Sequence, residues 1–213
     1  MNTDELARLL ATGAEAIDPR APVRRCALAI GAGVIAAAVL MAMWLGVRAS
    51  LVQDLGTPML WVKFAFGAWL AAGGWVAARR LAQPGARLAR VSGALAAPVL
   101  AMWLLATIAL AGADAQGRGE LLLGQTWSAC PFNIAVLSLP IFAAALWAMK
   151  GFAPTRLRWA GAAAGLFAGA AGAVIYAFHC PELAAPFLGV WYVLGMLIPT
   201  ALGALIGPRV LRW

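Results

Sequence analysis

Charge is what this chain has least of. Only 11% of its 213 residues are Asp, Glu, Lys or Arg, against roughly a quarter in a water-soluble domain, so a soluble fold of this composition is excluded. Histidine occurs once, too few for the paired axial ligands of a bis-histidine haem. Three cysteines exclude a disulfide-dense secreted scaffold. No Ser, His and acid grouping is visible, and no cluster of acids and His of the kind a membrane hydrolase needs. The chain therefore reads as a non-enzyme.

What is present is apolar: 64% of the residues are hydrophobic. They fall into six runs of about 20 residues, each long enough to cross a hydrocarbon layer of about 30 Å as a helix. The spans are expected at about 27–47, 59–78, 91–111, 131–149, 159–178 and 187–206. The fold class that follows is an all-α membrane protein, a six-helix transmembrane bundle over 26–213, preceded by a segment over 1–25. Positively charged loops resist translocation. Thirteen of the 16 Lys and Arg fall on the N-terminal side of this topology, leaving Arg48 and Arg118 on the other. Both termini are thus expected in the cytoplasm and the bundle in a bacterial inner membrane. The first run is too long for a signal-peptide core.

Two further patterns fit a bundle. Trp44, Trp61, Trp75, Trp127, Trp147, Trp159 and Trp213 stand at or near span ends, as interfacial belts do. Gly161, Gly165 and Gly169 share one face of span five, with Gly203 and Gly207 in span six. Small residues at four-residue spacing let helix backbones approach closely inside a bundle.

Within the spans Lys63 is the one residue with an acidic or basic side chain. It lies close to an outer end, from where it is expected to snorkel to the interface. Ion-coupled transport needs charges or ion-binding groups near midplane, and none is there. Thr107, Asn133 and Ser138 are polar, and a small transporter or channel for an uncharged or metal solute is the rival reading; a continuous polar cavity around those three would favour it.

Two features stand outside the pattern. Cys130 precedes Pro131 at the head of span four, and Cys180 precedes Pro181 just after span five, both on the outer side, where the compartment is oxidising. The position of Cys130 at a helix start favours its thiolate. Spans four and five form an antiparallel hairpin, so the two sulfurs form a disulfide if their α-carbons approach to about 5.5 Å. The plain alternative is that each is a small buried hydrophobe. His179 and Glu182 lie beside them, and Cys130, Cys180 and His179 together make a candidate soft-metal site, binding an ion transiently rather than holding a resident cofactor. Cys26 has no partner and reads as structural.

The other feature is the tail. Asn2 or Thr3 caps a short helix whose first turn carries Asp4 and Glu5, while Leu6, Leu9 and Leu10 share a face. So short a helix is marginal alone and orders against a partner. Residues 1–18 hold four acids against Arg8, whereas helices that bind anionic lipid carry a basic polar face. The tail suits an apolar protein groove with a basic rim. A surface that ordinarily binds nucleic acid is of that kind, although the chain itself is not expected to touch nucleic acid. Lipid is the partner of the bundle.

The opening Met1-Asn-Thr-Asp-Glu-Leu6, the Cys130-Pro131 step, Gly151-Phe-Ala-Pro-Thr155, Tyr176-Ala-Phe-His-Cys-Pro-Glu182, Trp191-Tyr192 and the closing Arg209-Val-Leu-Arg-Trp213 resemble the negative regulator of sigma F family. The most specific part is the His-Cys-Pro-Glu segment with its upstream Cys. The resemblance covers essentially the whole chain. It implies an inner-membrane anti-sigma factor whose N-terminal segment holds an extracytoplasmic-function sigma factor away from RNA polymerase, a contact expected here of Asp4, Glu5, Leu6, Leu9 and Leu10. It also implies release on stress, oxidant or heavy metal, sensed by outward-facing cysteines that match Cys130 and Cys180.

Overall fold

A computed structural model describes residues 2–12, 21–83, 89–152 and 154–212, with the side chains of all of these except 8–12, 21, 22, 89 and 90. Among the described residues the architecture is entirely helical, and six helices are long and apolar enough to cross a membrane. A short helix α1 (Thr3–Thr12) precedes the bundle. The first span is α2 (Ala21–Trp44); the end of the bundle at which it starts is here the near end, and the opposite one the far end. The chain then runs through a single turn α3 (Leu51–Asp54), the second span α4 (Pro58–Leu81), the third α5 (Ala89–Ala111) and a short α6 (Ala115–Leu123). Spans four and five are α7 (Cys130–Lys150) and α8 (Leu157–Tyr176). The sixth begins as α9 (Ala185–Phe187), passes through a π-helical segment Leu188–Tyr192 and continues as α10 (Val193–Val210). The fold class read from hydropathy holds, with ends shifted by a few residues. The connections at the far end are more built than expected, carrying α3, α6 and a folded turn at 177–184.

Local chemistry sets the ends. Thr57 is extended and Pro58 opens α4, where a missing N–H costs nothing. The Asp114 carboxylate accepts the Gly117 N–H at 2.8 Å and caps α6. Helix α2 stops where Gly46 takes φ 74°, a left-handed cap that side chains resist; the N–H groups of Leu45 and Gly46 both donate to the Met41 carbonyl.

Helix α8 is the hub, with two thirds of its most apolar stretch buried. Its Ala and Gly composition explains this, because small residues on every side let three neighbours come close. Gly161 lies against the Gly203 backbone, Gly165 against Pro199 and Thr200, and Gly169 against Met196, all on α10. On another side Gly67 and Gly74 of α4 meet Val174 and the Phe167 backbone, and Gly172 meets Ile134 and Ser138 of α7. The expected glycine faces thus pack within the bundle. Helix α2 rests on α7, with Gly33 against the Pro140 carbonyl. Helix α5 lies at the edge, 11% buried. Among the tryptophans expected at span ends, Trp44, Trp61, Trp127, Trp147 and Trp159 are exposed there, whereas Trp213 lies outside the described residues.

A buried thiol pocket as candidate functional site

After α8 the chain reverses at once: the N–H groups of His179 and Cys180 both donate to the Tyr176 carbonyl, at 2.9 and 3.0 Å. Pro181 then prevents the turn from continuing as helix. This brings Cys180 inward, toward Cys130 at the first position of α7. Both are free thiols and both are 0% exposed. The two thiols are near enough for each to influence the ionisation of the other, so the equal depth read from the sequence is realised as proximity.

The surroundings are more polar than hydropathy indicates. Lys63 does not snorkel: it is 1% exposed. Its ammonium donates to the carbonyls of Cys180 and Glu182, both at 2.8 Å, and sits 4.9 Å from the centre of the Tyr192 ring. Glycine-rich α4 packs so tightly on α8 that the side chain has its partners inward, not at an interface. Arg48, just past α2, is also buried; its Nη1 donates to the Cys180 carbonyl at 2.7 Å and its Nη2 lies 3.3 Å from Asp54. Burying two cations is costly unless anionic or strongly polar groups answer them. Asp54 answers one. Among the described residues no carboxylate stands within an ion-pair distance of Lys63, which leaves carbonyl dipoles, the Tyr192 ring and any charge on Cys180.

The polar donors converge on Cys180. The Cys130 thiol, the Lys63 ammonium, the Tyr192 hydroxyl and the Glu182 N–H all favour its thiolate, the Cys130 hydrogen bond most, and together they outweigh burial and pull the thiol down to about 5. The expectation for a thiolate rested on the place of Cys130 at a helix start; the groups that favour a thiolate gather around Cys180. Tyr176 and Tyr192 are each 1% exposed and pack at 6.0 Å centroid to centroid. The Tyr192 hydroxyl faces Cys180 but completes no well-formed hydrogen bond. The π-helical turn sets its register; such turns recur at functional sites.

The soft-metal set does not assemble in this geometry. The His179 Nδ1–H donates to the Gly46 carbonyl at 3.0 Å, and among the described residues no three His, Cys, Asp or Glu side chains are grouped to hold an ion. Glu182 instead closes the pocket: its Oε1 accepts the Gln125 N–H at 2.8 Å and faces the Thr126 hydroxyl at 3.5 Å. Gly124, with φ 53° and no Cβ to collide with that carboxylate, permits the approach. Trp191 adds a bond to the Leu122 carbonyl at 2.7 Å and stacks near Trp127.

Elsewhere the hydroxyls of Ser138 and Thr107 bond to carbonyls of their own helices, at Ala135 and Leu104. A cavity of about 380 Å³ between α4, α5, α8 and α10 is lined by apolar side chains. Neither observation favours a solute route. In the tail, the Asn2 carbonyl accepts the Glu5 and Leu6 N–H groups, and Asp4, Glu5 and Leu6 are exposed. Leu9 and Leu10 fall within α1, but their side chains lie outside the described residues.

Fold and site together define a polytopic helical membrane protein with a sealed thiol pocket at one end. The chain belongs to the negative regulator of sigma F family, whose model matches residues 10–213. It is 51% identical over 213 residues to the probable anti-sigma-F factor NrsF of Azospira oryzae, and 40% identical over 215 residues to the anti-sigma-F factor NrsF of Caulobacter vibrioides, with all of each chain covered in both cases. No solved structure matches.

Proposed function

We propose that this protein is an inner-membrane anti-sigma factor with both termini in the cytoplasm. Its segment 1–25, centred on α1, holds an extracytoplasmic-function sigma factor, and Cys130 with Cys180 at the periplasmic far end decides whether it is held. The observation that carries the sensing part is the burial of two free thiols in proximity, at the end of the bundle opposite the start of α2. Support for the holding part comes from family membership and from α1, where exposed Leu6 stands beside Asp4 and Glu5, apolar and acidic together.

The chemistry is a two-electron oxidation. The Cys180 thiolate attacks a hydroperoxide oxygen, the O–O bond breaks, and the alkoxide or hydroxide leaving group takes up a proton. The resulting sulfenic acid is attacked by the Cys130 thiol, forming the disulfide and releasing water. A heavy-metal ion that takes the same two sulfurs expels the Cys130 proton instead. Either event replaces proximity by a bond, and shifts the bundle to the extent that the new state prefers another packing.

The test is Cys130→Ser combined with Cys180→Ser, with transcription of the target genes as readout. The expected result is that oxidant and metal no longer induce, while repression at rest persists. Normal induction would remove the sensing part and leave the holding part standing.

A further inference from the structure

The thiol turn is fastened to the one helix that leads to the N-terminal segment. Three bonds link the end of α2 to residues 178–180: the Arg48 N–H to the Phe178 carbonyl at 3.1 Å, the His179 Nδ1–H to the Gly46 carbonyl at 3.0 Å, and the Arg48 Nη1 to the Cys180 carbonyl at 2.7 Å. Arg48 Nε is buried without a hydrogen-bond partner, while Nη2 faces Asp54 at 3.3 Å, so the guanidinium keeps one donor free to adopt a second arrangement when the carbonyl moves.

The rest of α2 is built to transmit such a movement. It is one unbroken helix of 24 residues whose proline, Pro22, stands at the second position, and it rests chiefly on α7. A close approach lies near the middle, where a Cβ on Gly33 would lie 2.9 Å from the Pro140 carbonyl oxygen. At about 1.5 Å per residue, the two arms from Gly33 are about 16 and 18 Å long. The near arm ends beside open volume, a cavity of about 340 Å³ lined by Val23, Cys26 and Ala27 on one side and Trp75, Arg79 and Phe152 on others. Helix α8, by contrast, is locked to α10, α4 and α7 by its glycine contacts.

We propose that Arg48 is the positioning residue that carries a change at Cys180 to the N-terminal segment, making α2 a lever that pivots where Gly33 meets Pro140. This rests on the thiol-sensor reading above and adds the route by which it acts. Disulfide formation draws Cys180 toward α7; the Arg48 bond draws the far end of α2 with it; the near end swings by a comparable distance into the cavity. The presentation of α1 changes accordingly, with no need for α8 to move.

The experiment uses the full chain in native membranes, in its wild-type form and as Arg48→Met and Arg48→Lys, before and after hydroperoxide. Disulfide is read by a maleimide mass shift and the retained sigma factor by co-purification. In the wild type, disulfide formation is expected to lower retention roughly fivefold or more, the usual lower bound of allosteric coupling. Arg48→Met forms the disulfide yet keeps its partner, and Arg48→Lys, which keeps a donor for the Cys180 carbonyl, restores release.

Release from Arg48→Met equal to the wild type at equal disulfide would overturn the lever alone. So would loss of partner from reduced Arg48→Met that Arg48→Lys does not repair, since that marks a merely structural role. A wild type that holds its partner after oxidation would remove the sensor reading and the lever together. A measurement without Arg48 variants stands beside these: spin labels on non-natural residues at the exposed Val23 and Trp147 positions. Their separation should change by several ångströms on oxidation, and an unchanged separation would contradict the lever.

Discussion

At the scale of single residues, the pocket is governed by side chains that hydropathy marks as anomalies without saying what they do. Lys63 stands out in the sequence as the lone charge within a span, but its burial depends on two carbonyls contributed by a turn more than a hundred positions away. Arg48 stands out as one of two arginines on the cation-poor side, and its partner is equally remote. Local pattern does not encode such pairings. Replacing Lys63 by Met removes a donor from both carbonyls, and leaves that of Glu182 without its ammonium; the expected loss is about 1 to 3 kcal/mol, read as a lower midpoint of thermal unfolding in detergent. The thiol has its own signature. With Cys180 pulled down to about 5, its thiolate is the dominant form at neutral pH and is lost as pH falls through that value. Hydroperoxide-driven disulfide formation should therefore hold steady from about pH 8 to about pH 6 and slow about tenfold per unit below about 5. An ordinary thiol would slow by that factor across the entire range.

At the scale of elements, the glycine spacing of α8 and α10 was legible because close approach demands small residues at fixed intervals, whatever the partner. Gly165→Val places a branched side chain into the backbone at Pro199 and Thr200, and α10 cannot yield without moving the π-helical turn. The expected outcome is failure to accumulate in the membrane, seen by immunoblot; normal levels would mean that the helices part more easily than this packing implies. The π-helical turn itself was not legible, since Leu188–Tyr192 reads as ordinary apolar helix and its register is set by contacts with α5, such as Trp103 Nε1 to the Gly189 carbonyl. For α1 the acid-first, leucine-later pattern was legible as a helix, although its partner is not part of the fold. Leu6→Asp should release the sigma factor while the protein stays in the membrane fraction. Retention of the sigma factor by that variant, together with weaker liposome binding by the isolated peptide, would assign α1 to the lipid surface instead.

At the scale of the whole molecule, the proposed function places a reactive end and a binding end at opposite ends of one helix, α2. Six apolar runs were enough to outline the spans, because the bilayer imposes a length rule that acts on each segment alone. The contents of the pocket were only half legible: the two cysteines could be paired by depth, whereas the cations and tyrosines around them come from four other elements. The central claim is that the reduced bundle holds a sigma factor and the oxidised one lets it go. Its most direct test is co-purification from native membranes through a C-terminal tag, with the accompanying proteins identified by mass spectrometry before and after hydroperoxide. The account predicts a sigma factor in the reduced eluate and its loss from the oxidised one. A reduced eluate without any sigma factor would contradict it.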